Sequence, residues 1–414
     1  MNDNEGVIKI RFISKEKGFA LPDDLHEVPV NIDEKSLTEN LNKLLKKSHV
    51  DYKKPLDFSF IIGGELLKTT LGEYLNKNSL STESRLDIEY IHRKPPEFED
   101  SILHEDWISG IHACAGKWIL TGCYDQAVYI WNSDGKPIVS LENHSNIVKD
   151  VKWISKDDPQ KGFVSVSYDF TAILWHWEEG TTNAKPTSIL KGHSGGIDCV
   201  AVSPNTQKLV TGSRDTALKV WSASLEDEEE PASKKSRNEA LVNVRNQIYT
   251  LEGHKEAISS VQWMDDCNII TSSMDHTVKV WDVDVNSIKN EIVGQKAILS
   301  ASWSPLTNSL LTTSADQYIR LFDLRSNESA SCKSSFISHT NWVSSVDWSP
   351  HSEHLFISGG YDSKVKIWDT RNPKASLYDL QGHDGQVLKV NWSNENHLFS
   401  GGTDNYVYIN KYTV

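Results

Sequence analysis

The chain contains seven segments in which an Asp is followed, six positions later, by a residue that is Trp in five of the seven. The pairs are Asp125/Trp131, Asp169/Trp175, Asp215/Trp221, Asp275/Trp281, Asp316/Phe322, Asp362/Trp368 and Asp404/Asn410. Between the two markers, apolar and polar side chains alternate, which is typical of a strand that is buried on one face. This spacing constrains the fold more than any other feature, because a repeated unit must stack on its neighbours to bury its apolar face.

An upstream His completes most of these units. It lies 21–25 positions before the Asp, at His104, His144, His193, His254, His339 and His383. Successive Asp residues are 41–46 positions apart, except for a step of 60 between Asp215 and Asp275. This period and its markers resemble the WD40 repeat. The resemblance implies an all-β, seven-bladed propeller over residues 97–414, with four strands in each blade.

The recurring polar residues predict a structural role. The His, the turn Asp and the strand Trp of a blade can form a buried chain of hydrogen bonds, each worth about 1 kcal/mol net. The complete sets are His104, Asp125, Trp131; His144, Asp169, Trp175; His193, Asp215, Trp221; His254, Asp275, Trp281; and His339, Asp362, Trp368. A hydrolytic triad is disfavoured, since a catalytic site is singular and these sets recur from unit to unit.

Two units depart from the pattern. The fifth has Gln295 where we expect the His and Phe322 in place of Trp, and the seventh has Asn410 in place of Trp. We expect both units to depend more on their neighbours or on a partner.

Few residues follow the last strand, so we expect the seventh blade to lack an outer strand of its own. We expect residues 97–103 to supply it, which closes the ring and removes an exposed strand edge.

The long third step contains a charged insertion near residues 224–247. It is acidic, then basic, and has few apolar residues to bury, so we expect a disordered loop. Lys234, Lys235 and Arg237, in the sequence KKSR, are candidates for a nuclear import signal. The alternative is a solvated charged loop without that role.

The first 92 residues do not share the repeat. Alternating runs predict a β-hairpin, and four leucines between positions 37 and 45 predict one face of a helix. Ser36 and Glu39 have the spacing of a capping box at its start. A buried strand, a turn, a short helix and a last strand follow. This order resembles ubiquitin and implies a small α+β β-grasp (ubiquitin-like) domain over residues 1–92, joined by a linker at 93–96.

Charge and cysteine usage exclude several classes of protein. The formal net charge is −14, of which −13 falls on residues 96–414. This charge disfavours broad contact with nucleic acid but leaves a local RNA contact open.

The five Cys include no Cys-x-x-Cys pair, and Cys114, Cys123 and Cys199 lie in apolar runs. We therefore expect the cysteines to be reduced and to act as small core residues. No signal peptide and no bilayer-spanning run is evident, so we expect an intracellular, soluble protein without a membrane partner.

A ubiquitin-like domain followed directly by a WD40 propeller resembles one small eukaryotic group. Its members are ribosome-assembly factors that dock on midasin, the giant AAA ATPase of the nucleolus. Seven repeats, the sequence Glu105–Trp107 and the acidic insertion are similar to the WD-repeat subunits of the PeBoW complex, which are relatives of Notchless. The resemblance implies a non-enzymatic factor of the nucleolus and nucleoplasm that supports maturation of large-subunit (60S) rRNAs. The implied partners are Bop, pescadillo, midasin and the pre-60S particle, with the propeller binding Bop.

The same resemblance implies a role for Glu83, in the sequence LSTE. In this group, an acidic side chain of the ubiquitin-like domain completes a metal-ion-dependent adhesion site on midasin, for release from the pre-60S particle. A divalent cation, most simply Mg²⁺, would bridge the two proteins, because Mg²⁺ takes oxygen ligands in octahedral geometry. Asp87 and Glu89 are weaker candidates. The chain by itself is expected to bind no metal and no cofactor.

Three alternatives remain open. A Notchless-type midasin adaptor would carry about eight blades. A WD40 substrate receptor of a ubiquitin ligase would need an adaptor-binding element such as an F-box, which the sequence does not show. An enzyme would need one non-repeating cluster of titratable residues in a pocket, whereas this sequence shows repeating ones and no GxxxxGK[ST] loop.

Overall fold

The protein divides into two compact units, Met1–Pro95 and Pro96–Val414, in the computed structural model. The structure describes residues 6–14, 21–48, 55–63, 65–67, 69–80, 85–92, 94–225, 243–324, 332–392 and 396–412. Among these residues, no helix is both long enough and apolar enough to span a membrane.

The first unit is a five-stranded sheet with a long helix packed on one face. Its elements are β1 (Val7–Ile13), β2 (Leu25–Pro29), α1 (Glu34–Ser48), β3 (Phe58–Ile62), β4 (Glu65–Leu66), α2 (Leu71–Lys77) and β5 (Leu86–His92). The strand order is β2-β1-β5-β3-β4, in which β1 and β5 are parallel and the other neighbours are antiparallel. This is the β-grasp arrangement, so the predicted fold class of this unit is confirmed.

One apolar core holds this unit together. Alternate side chains of β1 and β5, among them Ile10 and Ile88, are fully buried against α1. Leu37, Leu41 and Leu45 supply the buried face of that helix. Burial of side chains of this size stabilises the unit by roughly 1.5–3 kcal/mol each relative to exposure.

The predicted capping box of α1 is wrong. The helix begins at Glu34, and the Ser36 N–H donates to the Asp33 carboxylate at 2.9 Å. Asp33 is therefore the N-cap and Ser36 lies in the first turn, with Glu39 further along the helix. An Asp side chain satisfies an unpaired N–H at a helix start as well as Ser does, and its negative charge also favours that end of the helix dipole.

The described part of the second unit is an all-β ring of sheets. Its strands are β6 (Glu97–Leu103), β7 (Ile108–Cys114), β8 (Trp118–Cys123), β9 (Val128–Asn132), β10 (Pro137–Leu141), β11 (Val148–Trp153), β12 (Phe163–Ser167), β13 (Thr171–His176), β14 (Lys185–Lys191), β15 (Ile197–Val202), β16 (Lys208–Ser213), β17 (Leu218–Ser222), β18 (Asn243–Arg245), β19 (Tyr249–Leu251), β20 (Ile258–Trp263), β21 (Asn268–Ser273), β22 (Thr277–Asp282), β23 (Ser287–Val293), β24 (Ile298–Ser304), β25 (Ser309–Ser314), β26 (Tyr318–Asp323), β27 (Cys332–Ile337), β28 (Val343–Trp348), β29 (Leu355–Gly360), β30 (Val365–Asp369), β31 (Tyr378–Leu380), β32 (Val387–Asn391), β33 (His397–Gly402) and β34 (Tyr406–Lys411).

These strands form seven blades. Blade 1 contains β7–β10, blade 2 contains β11–β14, and blade 3 contains β15–β17 with β19. Blades 4, 5 and 6 contain β20–β23, β24–β27 and β28–β31, and blade 7 contains β32–β34 with β6. The first strand of each blade is innermost and touches the first strand of the next, from β7 round to β32 and back to β7. The predicted seven-bladed propeller is confirmed.

The ring closes through β6. This strand pairs antiparallel with β34, from Leu103 opposite Tyr406 to Glu97 opposite Lys411. Ile102 is 2% exposed and packs in a cluster shared by blades 7 and 1. The prediction that residues 97–103 complete the seventh blade is therefore confirmed.

The predicted disordered loop near 224–247 is wrong at its C-terminal end. β18 pairs in parallel with β14 and adds a fifth strand to the outer edge of blade 2. The Arg245 guanidinium donates a hydrogen bond to the Ser224 carbonyl. An outer strand has unpaired N–H and C=O groups, and the returning chain provides partners for some of those on β14. Residues 226–242 lie outside the described residues.

Three of the five cysteines are core residues, as predicted. Cys114, Cys123 and Cys199 are buried and free. Burial raises the pKa of the Cys114 and Cys123 thiols to about 12, so both thiols are protonated and act as small apolar groups. Cys267 and Cys332 are exposed.

Ring closure can be tested with two adjacent residues of β6. Ile102→Ala should lower the free energy of unfolding by about 2–4 kcal/mol, because it empties a buried site between blades 7 and 1. Leu103→Ala is the control: this side chain is 60% exposed, and its loss should change stability by less than about 0.5 kcal/mol. Urea unfolding of the two full-length variants measures the difference. Equal effects would contradict the closing role of β6.

Candidate partner-binding sites

Glu83 lies in the segment 81–84, outside the described residues, between two ordered elements of the first unit. α2 ends just before it, and the Leu80 N–H donates to the Leu75 carbonyl at 3.0 Å. On the other side, β5 begins at Leu86 and runs through the centre of the sheet. The segment that carries Glu83 therefore joins a helix end to a central strand.

The nearby carboxylate of Asp87 is already engaged. Arg11 donates to it twice, from Nη2 at 2.6 Å and from Nε at 2.9 Å, and Arg85 Nε donates at 3.1 Å. These hydrogen bonds lower the pKa of Asp87. A carboxylate held by two guanidinium groups is a poor ligand for a further cation. Glu89 is half-buried on the same strand and has its own interaction partner.

No metal site is present within the portion of the chain that the structure describes, since no three His, Cys, Asp or Glu side chains are grouped there to hold an ion. The candidate import residues Lys234, Lys235 and Arg237 lie outside that portion.

Blade 3 shows the hydrogen-bond chain that the repeat predicted. His193 Nδ1–H donates to Asp215 Oδ2 at 2.8 Å, and His193 Nε2 accepts from the Thr211 hydroxyl at 2.8 Å. The Trp221 indole N–H donates to the same hydroxyl oxygen at 2.9 Å. The Asp also accepts backbone N–H groups of Ser194 and Ala217. The chain of bonds joins the incoming loop, the turn and two strands of one blade.

Blades 2, 4 and 6 repeat this geometry with distances of 2.7–2.9 Å along the chain of bonds. The residues are His144, Asp169, Ser165, Trp175; His254, Asp275, Thr271, Trp281; and His339, Asp362, Ser358, Trp368. The central hydroxyl always belongs to the residue four positions before the Asp. We did not place it from the sequence, although every one of the seven units has Ser or Thr there.

The Asp carboxylates in these hydrogen-bond chains are ionised at neutral pH, and each accepts several hydrogen bonds. Burial would raise the pKa of Asp169, but hydrogen bonds from His144 and Thr171 lower it to about 2. The pKa values of Asp215 and Asp275 are also lowered, because their hydrogen bonds outweigh burial. Groups that are tied to each other in this way hold loops in place and do not act as free acids or bases.

Blade 1 differs from the prediction. His104 Nε2 and the Trp131 N–H both bond to the Thr121 hydroxyl, at 2.8 and 2.9 Å. His104 Nδ1, however, is buried without a hydrogen-bond partner among the described residues. The Asp125 carboxylate instead accepts the Tyr129 hydroxyl at 2.6 Å. The predicted His104–Asp125 link is therefore wrong, because a Tyr on the third strand takes the place of the His.

Blade 5 has Gly294, and not Gln295, at the His position. The backbone N–H of Gly294 donates to the His276 carbonyl at 2.7 Å. The backbone N–H of His104 makes the equivalent bond to the Asn405 carbonyl at 2.8 Å, so Gly294 and His104 occupy the same position in their blades. The prediction that Gln295 occupies the His position is therefore wrong by one residue.

Arg320 replaces the missing His of blade 5. Its guanidinium donates to the Asp316 carboxylate at 2.8 and 3.3 Å and to the Ser314 hydroxyl at 3.1 Å. In blade 7, His383 binds Asp404 and Ser400 at 2.8 and 2.9 Å, but no indole joins the chain of bonds because Asn410 stands in the Trp position.

Comparisons with known proteins cover both units. The NLE (NUC135) domain family matches residues 8–75, and the WD domain, G-beta repeat, matches residues 101–132, 135–176, 184–222 and 245–282. The EIPR1 beta-propeller family matches residues 283–409.

Relatives match over nearly the whole chain. A protein of Drosophila virilis named "Ribosome biogenesis protein WDR12 homolog" is 42% identical over 410 residues, which cover 99% of this chain and 96% of that protein. Proteins of the same name from Drosophila pseudoobscura pseudoobscura and Aedes aegypti are 44% and 39% identical, with 99% of this chain covered in each case and 97% and 96% of the relatives.

The unequal chains of bonds predict unequal effects of two equivalent substitutions. Asp215→Ala removes the carboxylate that binds His193 and two backbone N–H groups, and should lower the free energy of unfolding by about 3 kcal/mol or more. Asp125→Ala removes no bond to a His and should cost less. Urea unfolding of both full-length variants tests this ranking, and a larger cost for Asp125→Ala would contradict it.

His104 of blade 1, which makes no hydrogen bond to an Asp, predicts a pH effect. Burial lowers the pKa of His104 to about 4, whereas an unfolded His titrates near 6.5. Between these values the unfolded chain binds more protons, so the free energy of unfolding falls as the pH drops through this window. His104 should contribute a loss of about 2 kcal/mol between pH 7 and pH 5. The variant His104→Gln should show a correspondingly smaller difference in urea unfolding, and an unchanged difference would contradict this assignment.

Proposed function

We propose that this chain, which belongs to the WDR12 family of ribosome biogenesis proteins, is a non-enzymatic assembly factor for the large (60S) ribosomal subunit. The observation that carries the proposal is the similarity of the whole chain to its relatives, through both the NLE unit and the propeller. A function that needs both units fits a protein that connects two partners better than it fits a single-site enzyme.

The two units would divide the work. The propeller binds Bop within the PeBoW complex, which also contains pescadillo, and so holds the chain on the pre-60S particle. The ubiquitin-like unit docks on midasin. ATP-driven remodelling by midasin then pulls the factor off the particle and allows maturation of the large-subunit rRNAs. The chain itself transmits force and hydrolyses nothing.

Glu83 is the residue that we propose for the contact with midasin. It fills the open position of a divalent cation, Mg²⁺, in the adhesion site of midasin. Two features support this choice over its neighbours. The Asp87 carboxylate is held by Arg11 and Arg85, and Glu89 lies half-buried along the strand, whereas Glu83 lies in the segment that leads into β5.

The place of action would be the nucleolus and nucleoplasm, where pre-60S particles mature. Lys234, Lys235 and Arg237 remain the candidates for import. A Notchless-type midasin adaptor is the second possibility, but its expected eight blades do not fit the seven-bladed ring.

Binding of the full-length chain to the adhesion domain of midasin tests the role of Glu83. Glu83→Ala should weaken Mg²⁺-dependent binding by about 30-fold or more, because it removes a charged ligand of a buried ion. Glu83→Asp, one methylene shorter, should bind more weakly than the wild type.

Glu39→Ala is the matched control, since Glu39 is an exposed glutamate on α1 of the same unit. Calorimetric titration with Mg²⁺ and with EDTA separates the outcomes. Equal affinity of Glu83→Ala and the wild type, or indifference to EDTA, would contradict the metal bridge.

A further inference from the structure

The central cavity of the propeller is lined by one residue of each blade at an equivalent position. The innermost strands all pair with the second strands in the same register, from Ile108 opposite Cys123 in blade 1 to Val387 opposite Gly402 in blade 7. The fifth residue of each innermost strand lines a cavity of about 1430 Å³. We call these residues the channel ring: His112, Lys152, Ala201, Gln262, Ser302, Asp347 and Asn391.

Members of the channel ring join neighbouring blades. In four blades, the side chain of the ring residue accepts the backbone N–H of the residue that follows the ring position in the next blade. The donor and acceptor residues, at 2.7–3.4 Å, are Trp153/His112, Trp303/Gln262, Trp348/Ser302 and Trp392/Asp347. The fold therefore accounts for side chains with an acceptor atom at these positions.

Lys152 does not have this structural role. A lysine side chain has donors but no acceptor, so it cannot bind the N–H group of the next blade. Within the described part of the chain, the Lys152 ammonium makes no hydrogen bond and no ion pair. Burial lowers the pKa of this ammonium, which shows that the surroundings oppose its charge. The position thus carries a cation that stabilises nothing within its own fold.

The two carboxylates that attract Lys152 are occupied by other groups. Asp150 lies 3.2 Å from the Lys389 ammonium and accepts the Val200 N–H at 3.4 Å. Asp347 accepts three hydrogen bonds at 2.8–3.3 Å, from the Trp392 N–H, the Ser302 hydroxyl and the Asn391 amide. Lys389 therefore has a counter-ion at bonding distance, whereas Lys152 has none among the described residues.

His112 stands next to Lys152 in the channel ring and supplies a second free donor. Its Nδ1 accepts a backbone N–H, so the neutral ring carries its proton on Nε2. Burial holds the pKa of His112 well below its usual value, and the charge of Lys152 acts in the same direction, so the ring is neutral at pH 7. The side chain is 4% exposed, yet its Nε2–H makes no hydrogen bond to a described residue.

A third donor lies where the cavity opens beyond β11. Lys156 is exposed on the loop that follows this strand and also lines the cavity. Its charge lowers the pKa values of both His112 and Lys152, which places it close to them. Its ammonium has no partner among the described residues. Asp157, the next residue, lines the same opening, and its charge limits the affinity of this end for an anion.

We propose that the channel ring binds the phosphate group of a small molecule, and that Lys152, His112 and Lys156 donate the hydrogen bonds. A phosphate has several acceptor oxygens and can bind all three donors at once, with the strength of charge-assisted hydrogen bonds. The cavity is larger than one phosphate, so it has room for the organic part of a nucleotide or an inositol phosphate. The site does not depend on Bop or midasin.

Calorimetry of the full-length chain in Mg²⁺-free, low-salt buffer tests the site with three probes: inorganic phosphate, ATP and myo-inositol hexakisphosphate. Lys152→Met should weaken binding about tenfold or more, because it removes a charged donor. His112→Gln should weaken binding about threefold or more, since it removes a neutral donor. Gln262 shows that a Gln at this ring position still accepts the N–H of the next blade.

Lys191→Met is the matched control. Lys191 is exposed at the end of β14 in the same blade as Lys152, so the variant loses the same charge outside the cavity. It should bind each probe as the wild type does. Urea unfolding in phosphate-free buffer should show that Lys152→Met is at least as stable as the wild type, because a charge without a partner is replaced by an apolar side chain of similar length.

Chemical labelling locates the site without any substitution. Acetylation of the wild-type chain by an N-hydroxysuccinimide ester, followed by mass spectrometry, gives the rate at each lysine. Saturating inositol hexakisphosphate should slow the acetylation of Lys152 and Lys156 but not that of Lys191. Unchanged rates at Lys152 would overturn the proposal even if an anion binds elsewhere on the chain.

The probes also distinguish the sources of the phosphate. Tighter binding of ATP or inositol hexakisphosphate than of inorganic phosphate, weakened in Lys152→Met, identifies an organic phosphate as the ligand. Equal affinities, again weakened in Lys152→Met, identify free phosphate. Absence of binding of all three probes by the wild type, or an unchanged affinity of Lys152→Met, would overturn the proposal and leave the proposed function untouched.

Discussion

The pairing of β6 with β34 is the contact on which the propeller depends. It completes blade 7, removes the free edge of the ring and buries Ile102 between the last blade and the first. β6 is also the first strand after the ubiquitin-like unit. Under the proposed function, a pull on that unit would reach the propeller through its closing strand, and the strength of this pairing would limit the force that the chain transmits.

Within the blades, a second interaction fixes the loops. A Ser or Thr hydroxyl joins the His of the incoming loop to the Trp of the third strand, and the Asp holds the His from the turn. Blades 1 and 5 keep their Asp occupied with Tyr129 and Arg320 instead. The requirement is thus a satisfied buried carboxylate and not a particular residue. Once the loops are fixed, their outward side chains are free to vary.

The sequence predicted what depends on local periodicity. The Asp-to-Trp spacing is sufficient to predict the ring of blades. The order of elements before residue 95 is sufficient to predict the β-grasp sheet. The errors concern choices between nearby partners. The N-cap of α1 is Asp33, three residues before the predicted Ser36, and the His position of blade 5 is Gly294, one residue before the predicted Gln295. The strand β18 depends on an edge of blade 2 that is distant in sequence, so no local pattern could indicate it. Glu83 was assigned by family resemblance, and the structure describes only its surroundings.

The central claim is that Glu83 connects midasin to a factor that is held on the particle by its propeller. The most direct measurement uses purified pre-60S particles that carry either the wild-type chain or Glu83→Ala, treated with midasin, Mg²⁺ and ATP. The account predicts that the wild-type chain leaves the particles in an ATP-dependent manner, while the variant stays bound. Release of both chains at the same rate would contradict it.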